Sequence, residues 1–168
     1  TNPTALNVFT NKYRNTYIEN NMEYTYNLTS STAAISAASN AAIIPENLTF
    51  LSSFALNGIT YNVTAVNPNA FLNKTVIENV TIPDSVTNIY LSAFQDCTGL
   101  TNVVLSSTLT IIGQNTFNGC VGLSSITIPN LVTNLSASIF QCCVGLTNVV
   151  IPNAVTSLGA SVFEGCSG

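Results

Sequence analysis

The chain has 168 residues, a net charge of −4 and only 6% charged side chains, against about 25% in an ordinary soluble domain. Its cations are Lys12, Arg14 and Lys74, too few to neutralise phosphates along one face, so nucleic acid is excluded as a partner. No apolar run approaches the ~18 residues of a membrane span, and there is no histidine to act as a general base or imidazole ligand.

In chain order, the first 22 residues contain one strand-like phrase, "ALNVFT", carrying Leu6, Val8 and Phe9. The chain starts at Thr1 instead of Met, as a processed or excised product would. From Phe71 onward one sentence repeats. Phenylalanines fall at Phe71, Phe94, Phe117, Phe140 and Phe163, each 23 residues after the last. Cys97, Cys120, Cys143 and Cys166 follow three places behind the last four of them, and Ile77, Leu100, Leu123 and Leu146 sit six behind the first four. Ile82, Leu105, Ile128 and Ile151 precede Pro83, Ser106, Pro129 and Pro152, and Val86, Leu109, Val132 and Val155 recur after those. Four complete units and a stub share this frame.

A fixed period in the twenties means a solenoid, because one such unit is too small to bury its own apolar side. The phrases "VTI", "VVL", "ITI" and "VVI" alternate inward and outward and suit short β-branched strands. Proline just behind the strand fits the place where a ladder donor is no longer needed. The expected core is a column of phenylalanines, each contributing roughly 1.5–3 kcal/mol of burial. Beside it runs a column of thiols.

The units "FQDCTGLTNVVLSSTLTIIGQNTF" and "FQCCVGLTNVVIPNAVTSLGASVF" resemble the BspA-like class of leucine-rich repeat, apart from Ser106 where proline is usual. The first unit departs from the pattern, with Lys74 for Cys and Ile77 for Leu. "GITYNVTAVNPNAF" is similar to that family's lead-in, and "EYTYNLTSSTAAIS" to its opening β segment. The resemblance implies a β-rich, right-handed coil of stacked short parallel strands with an N-terminal β cap or arm. It divides the chain into an arm at 1–22, a cap and lead-in coil at 23–70, and four repeats with a partial fifth at 71–168. It also implies a secreted or cell-surface protein working in adhesion or recognition without enzymatic activity.

Four cysteines in one column point the same way one coil apart, at a Cβ spacing longer than the ~3.8 Å mean of a disulfide. A line of thiols cannot converge on zinc. The expectation is therefore buried thiols at Cys97, Cys120, Cys143 and Cys166. Cys142 faces outward beside Cys143, as a free thiol, a vicinal pair with Cys143 or a link to another chain. Six N-x-S/T sequons occur, at Asn27, Asn47, Asn62, Asn73, Asn79 and Asn134. With 23 Asn and 39 Ser plus Thr, chance alone supplies about five, so the number is no sign of selection for N-linked glycans. Asn73, on a loop, is the first choice for occupancy.

The seven carboxylates are scattered and form no calcium loop, and no serine has a visible base. No catalytic residue, metal site or cofactor is expected. The outward strand positions make two columns: Asn79, Asn102, Ser125 and Asn148, then Thr81, Val104, Thr127 and Val150. Such a face suits a protein or glycan ligand; a threonine ladder is also similar to ice-binding solenoids, although Thr alternating with Val is a weak version of one.

The last unit stops at "FEGCSG", before its strand arrives. An uncovered coil end exposes core side chains and a sheet edge. One expectation is that Leu6, Val8 and Phe9 of one copy pair with the end of another near Cys166 and Gly168, building a head-to-tail homopolymer. The alternative is that the first residues fold back as the chain's own cap. The first functional expectation is an extracellular structural protein that self-assembles into a filament or surface layer. The second is an adhesion or recognition module excised from a longer surface protein.

Overall fold

A computed structural model describes residues 16–19, 22–36 and 44–168. The fold is a β solenoid of short stacked parallel strands, preceded by an N-terminal cap. The cap begins with a meander of β1 (Thr16–Glu19), β2 (Met22–Asn27) and β3 (Thr32–Ser36), paired antiparallel in that order. β1 lies inside the stretch assigned from sequence to the arm, and its backbone is taken up by the chain's own cap sheet. Leu6, Val8 and Phe9 lie outside the described residues. β5 (Ser53–Leu56) and β6 (Ile59–Val66) form a hairpin whose turn, Asn57–Gly58, has φ of 51° and 76°, the paired positive values of a tight hairpin connection.

Two ladders of parallel strands then climb the coils. The first holds β4 (Asn47–Thr49), β7 (Asn79–Thr81) and β9 (Asn102–Val104), then β11 (Ser125–Thr127) and β13 (Asn148–Val150). In each of these strands the middle residue turns inward and its neighbours outward. Val80 and Ile126 are buried, while Val104 is 50% and Val150 49% exposed. The second ladder consists of β8 (Asn88–Ile89), β10 (Ile111–Ile112), β12 (Asn134–Leu135) and β14 (Ser157–Leu158). It joins the cap through β6, which runs parallel to both β3 and β8.

The third side of each coil is a turn built around the phenylalanine. Two columns of left-handed residues frame it: Asn69, Ser92, Asn115, Ser138 and Ser161 two places before each ring, and Asn73, Asp96, Gly119, Cys142 and Gly165 two places after. Most are glycine or short polar side chains, which tolerate φ near +60° best. The phenylalanine N–H groups tie coil to coil, Phe71 to Ala93 C=O, Phe94 to Thr116, Phe117 to Ile139 and Phe140 to Val162, at 2.7–3.0 Å. The five rings stack in one file, with centroids 5.1, 5.7, 5.8 and 5.7 Å apart and planes within 8° of parallel. Four of the rings are fully buried, and Phe163 at the end of the file is half-buried. Below Phe71 the file continues onto Phe50 at 5.5 Å, tilted by 42°. Phe50 stands outside the 23-residue register and marks an additional, irregular coil built from the lead-in.

Candidate functional site

The thiols complete the core. Each cysteine Sγ donates to the carbonyl of a phenylalanine 26 residues earlier: Cys97 to Phe71 at 3.1 Å, Cys120 to Phe94 at 3.2 Å, Cys143 to Phe117 at 3.0 Å and Cys166 to Phe140 at 3.1 Å. Each of these carbonyls also accepts a turn N–H from three residues on (Lys74, Cys97, Cys120 and Cys143), so the thiol occupies its second lone pair. Burial pushes the Cys97 and Cys143 thiols up to about 12 and Cys120 well above its ordinary range, so all three stay protonated donors at neutral pH. All five thiols are free, and Cys142 is exposed. Among the described residues no group of three or more His, Cys, Asp or Glu gathers to hold a metal ion.

Of the six sequon asparagines, Asn27, Asn47, Asn62, Asn73 and Asn134 are exposed and Asn79 is half-buried. Several amides are already engaged. Asn27 Oδ1 accepts from the N–H groups of Thr29 and Ser30, Asn79 Nδ2 donates to Asn47 Oδ1 at 2.7 Å, and Asn134 Oδ1 accepts from Ser157 Oγ at 2.6 Å. Asn73 sits in a turn with φ of 61°.

The first strand ladder carries the broad exposed face. Asn102, Val104, Ser125, Thr127, Asn148 and Val150 are all exposed there, with Thr81 beside them. The face bears neither a cation nor an anion, only amides, hydroxyls and β-branched methyls. Its regularity fails at one junction. β7 pairs with β9 and β11 pairs with β13, yet β9 and β11 form no ladder. A cleft of about 460 Å³ occupies that place, lined among others by Asn102, Val104, Leu105, Ser107, Ser125 and Thr127. Ser107 is fixed on the cleft rim by Asp84 Oδ1, which accepts from its N–H at 2.8 Å and from its Oγ at 3.0 Å. A shallower groove of about 320 Å³ runs over the cap, lined by Thr25, Tyr26, Asn27, Thr32, Thr64 and Tyr90. Neither hollow was visible in the sequence, because both depend on distances between coils and not on residue types.

The chain can be placed among known proteins. Residues 43–168 match the BspA type leucine rich repeat region in six copies. No curated protein matches the chain. Among solved structures, a leucine-rich repeat protein from Bacteroides ovatus is 22% identical over 89% of this chain and 45% of its own, with a TM-score of 0.71. A leucine-rich repeat protein from Bacteroides capillosus is 24% identical over 86% of this chain and 97% of its own, with a TM-score of 0.61. A leucine rich cell surface protein from Faecalibacterium prausnitzii is 23% identical over 90% of this chain and 52% of its own, with a TM-score of 0.60. The chain thus spans about half the length of the first and third. At these identities the likeness is one of fold. Among the described residues no helix is long and apolar enough to cross a membrane. With the repeat match covering three quarters of its length, the chain belongs to the BspA-type leucine-rich-repeat proteins.

Proposed function

We propose that the chain is a non-enzymatic recognition module of a cell-surface or extracellular protein, binding through the exposed strand face. The observation that supports this reading is the face itself: Asn102 and Val104 stand in register with Asn79 and Thr81, and Ser125 and Thr127 with Asn148 and Val150, all on one stacked core. Rigid presentation lowers the ordering cost of binding, and a face without charge selects neutral partners. Proteins of this repeat class act as binding modules, and one structural relative is described as a cell surface protein. The test is adhesion of the purified chain to immobilised extracellular-matrix proteins and glycans, repeated with V104D/V150D. Loss of adhesion in the variant supports the reading; unchanged adhesion overturns it.

A second reading, the head-to-tail homopolymer forming a filament or surface layer, has one observation in its favour. A net charge of −4 over 168 residues offers little repulsion between copies. Sedimentation over a range of concentrations separates the two, since polymers grow with concentration and a module stays monomeric. If the chain crosses a eukaryotic secretory pathway, Asn73 is the first glycan acceptor, and intact mass before and after glycosidase reads its occupancy.

A further inference from the structure

At three steps along the coils the ladder bonds recur in the same places. Glu78 N–H donates to Glu46 C=O, Thr101 N–H to Glu78 C=O and Thr147 N–H to Ser124 C=O. Ile82 N–H reaches Val104 C=O, and Ile128 N–H reaches Val150 C=O, each at 2.9 Å. On the second ladder Thr87 donates to Thr64, Thr110 to Thr87 and Thr156 to Thr133. Between the Phe94 coil and the Phe117 coil the equivalents are missing. Ser124 N–H, Thr101 C=O, Leu105 N–H and Thr127 C=O have no backbone partner across this step among the described residues, and β10 does not pair with β12. The turn side of the same step is intact, with Ser92 bonded to Gln114, Phe94 to Thr116 and Asp96 to Asn118 at 2.8–3.0 Å. The junction is therefore a wedge, closed along the phenylalanines and open along the strands.

The residue that distinguishes this step from the steps on either side of it is Ser136. In its column, Gly113 and Gly159 lie so close to the coil below that an added Cβ would meet backbone atoms at 2.6 Å (Leu91 N) and 2.5 Å (Ala137 N). Ser136 carries a Cβ where both of these have none; Tyr90, lower in the column, also carries one, over the closed β6–β8 step where its N–H reaches Val66 C=O at 3.0 Å. The Ser136 Oγ reaches the Ile112 carbonyl at 2.7 Å, the bond made in neighbouring coils by the N–H of Gly113 and Gly159.

We propose that this wedge is a binding cleft for a neutral oligosaccharide, an inference that rests on the recognition reading and names its ligand. No charged side chain lines the cleft, which argues against nucleotides, acidic glycans and charged peptides. Its walls offer amides and hydroxyls from Asn102, Asn130, Ser107, Ser125 and Thr127 over an apolar floor of Val103, Ile126 and Ile128. Leu105 and Thr127 line the cleft, and Thr101 and Ser124 adjoin its lining residues Asn102 and Ser125; a sugar hydroxyl satisfies their main-chain groups by accepting from an N–H and donating to a C=O. Ser124, just before β11, and Thr127 at its end are three residues apart, about 10 Å at 3.3 Å per residue, so the unpaired groups suit a short oligomer over a single ring.

The test uses unglycosylated chain and a panel of uncharged hexose and N-acetylhexosamine oligomers beside sialylated and sulfated ones. Four variants are compared: Ser136→Gly, which gives this step the glycine of the steps on either side; Ser136→Thr, which keeps a Cβ and hydroxyl there; Ser125→Trp, which fills the cleft; and Asn148→Trp, one coil further up the same face. Binding to a neutral oligomer that falls by at least ~10-fold in Ser136→Gly and Ser125→Trp, and persists in Ser136→Thr and Asn148→Trp, supports the cleft. Binding only to charged glycans, or to none, overturns it. Neutral-glycan binding lost in Asn148→Trp alone overturns the cleft and leaves the face reading standing; binding unchanged in every variant overturns both. Should Ser136→Gly fail to fold, Ser125→Trp against Asn148→Trp still decides.

Discussion

Ser136 Oγ lies 2.7 Å from the carbonyl oxygen of Ile112, and this contact replaces a backbone bond that its neighbouring coils make. Ser136→Ala keeps the Cβ but removes the bridge. The expected cost is about 1 kcal/mol of stability, read as a shift in the urea midpoint with an unchanged slope.

A second prediction concerns the thiols. Cys120→Ala removes one of two donors to the Phe94 carbonyl, which keeps the Cys97 N–H, and opens a small void in the core, at a cost of about 1–2 kcal/mol. Cys120→Ser keeps a donor of similar size and should lose less. Thermal melts of the two variants against the parent measure the difference; equal losses would mean the hydrogen bond contributes nothing.

Alkali provides a third. Burial raises the folded Cys97 and Cys143 thiols from about 9 to about 12. Between those values the unfolded chain releases the proton while the folded chain keeps it, so the folded state binds more protons and stability falls as pH rises. The thiol contribution is complete below about pH 9 and is lost towards pH 12. Stability measured from pH 7 to 11 should drop above 9, and a variant with serine at both positions should drop less.

The ring file gives a fourth. Phe117 is buried between Phe94 and Phe140, with stacked rings at 5.7 and 5.8 Å. Phe117→Ala should cost about 3–5 kcal/mol, whereas Phe163→Ala, at the half-buried end, should cost visibly less. Comparable losses at both sites would show that stacking between coils is not what holds the column.

Much of this architecture was legible because a solenoid repeats its environment. Phe71, Phe94, Phe117, Phe140 and Phe163 share one register, and residues that share a register share a wall of the core. What repeats poorly was hidden. Phe50 joins the file from outside the period, since the lead-in coil is lengthened by the β5–β6 hairpin. The second ladder of two-residue strands, ending at Ile89, Ile112, Leu135 and Leu158, was hidden because two residues are too few to show alternation. Ser136 looks like any other polar residue in a Ser-rich chain. Its effect emerges only when Gly113 and Gly159 are seen pressed against the coil below. The chemistry of the cysteines was likewise half visible: their burial follows from the period, but the phenylalanine carbonyls they bind follow from three-dimensional stacking.

The central claim is that, among the described residues, the coils are locked along their turns and parted along their strands at a single step. Residue-resolved amide hydrogen exchange tests it directly. Phe71, Phe94, Phe117 and Phe140 should all exchange slowly, Ile82, Ile128 and Thr147 should exchange slowly too, and Leu105 and Ser124 should exchange at least ~100-fold faster than those strand equivalents. Leu105 and Ser124 protected as strongly as Ile82 and Thr147 would contradict the account.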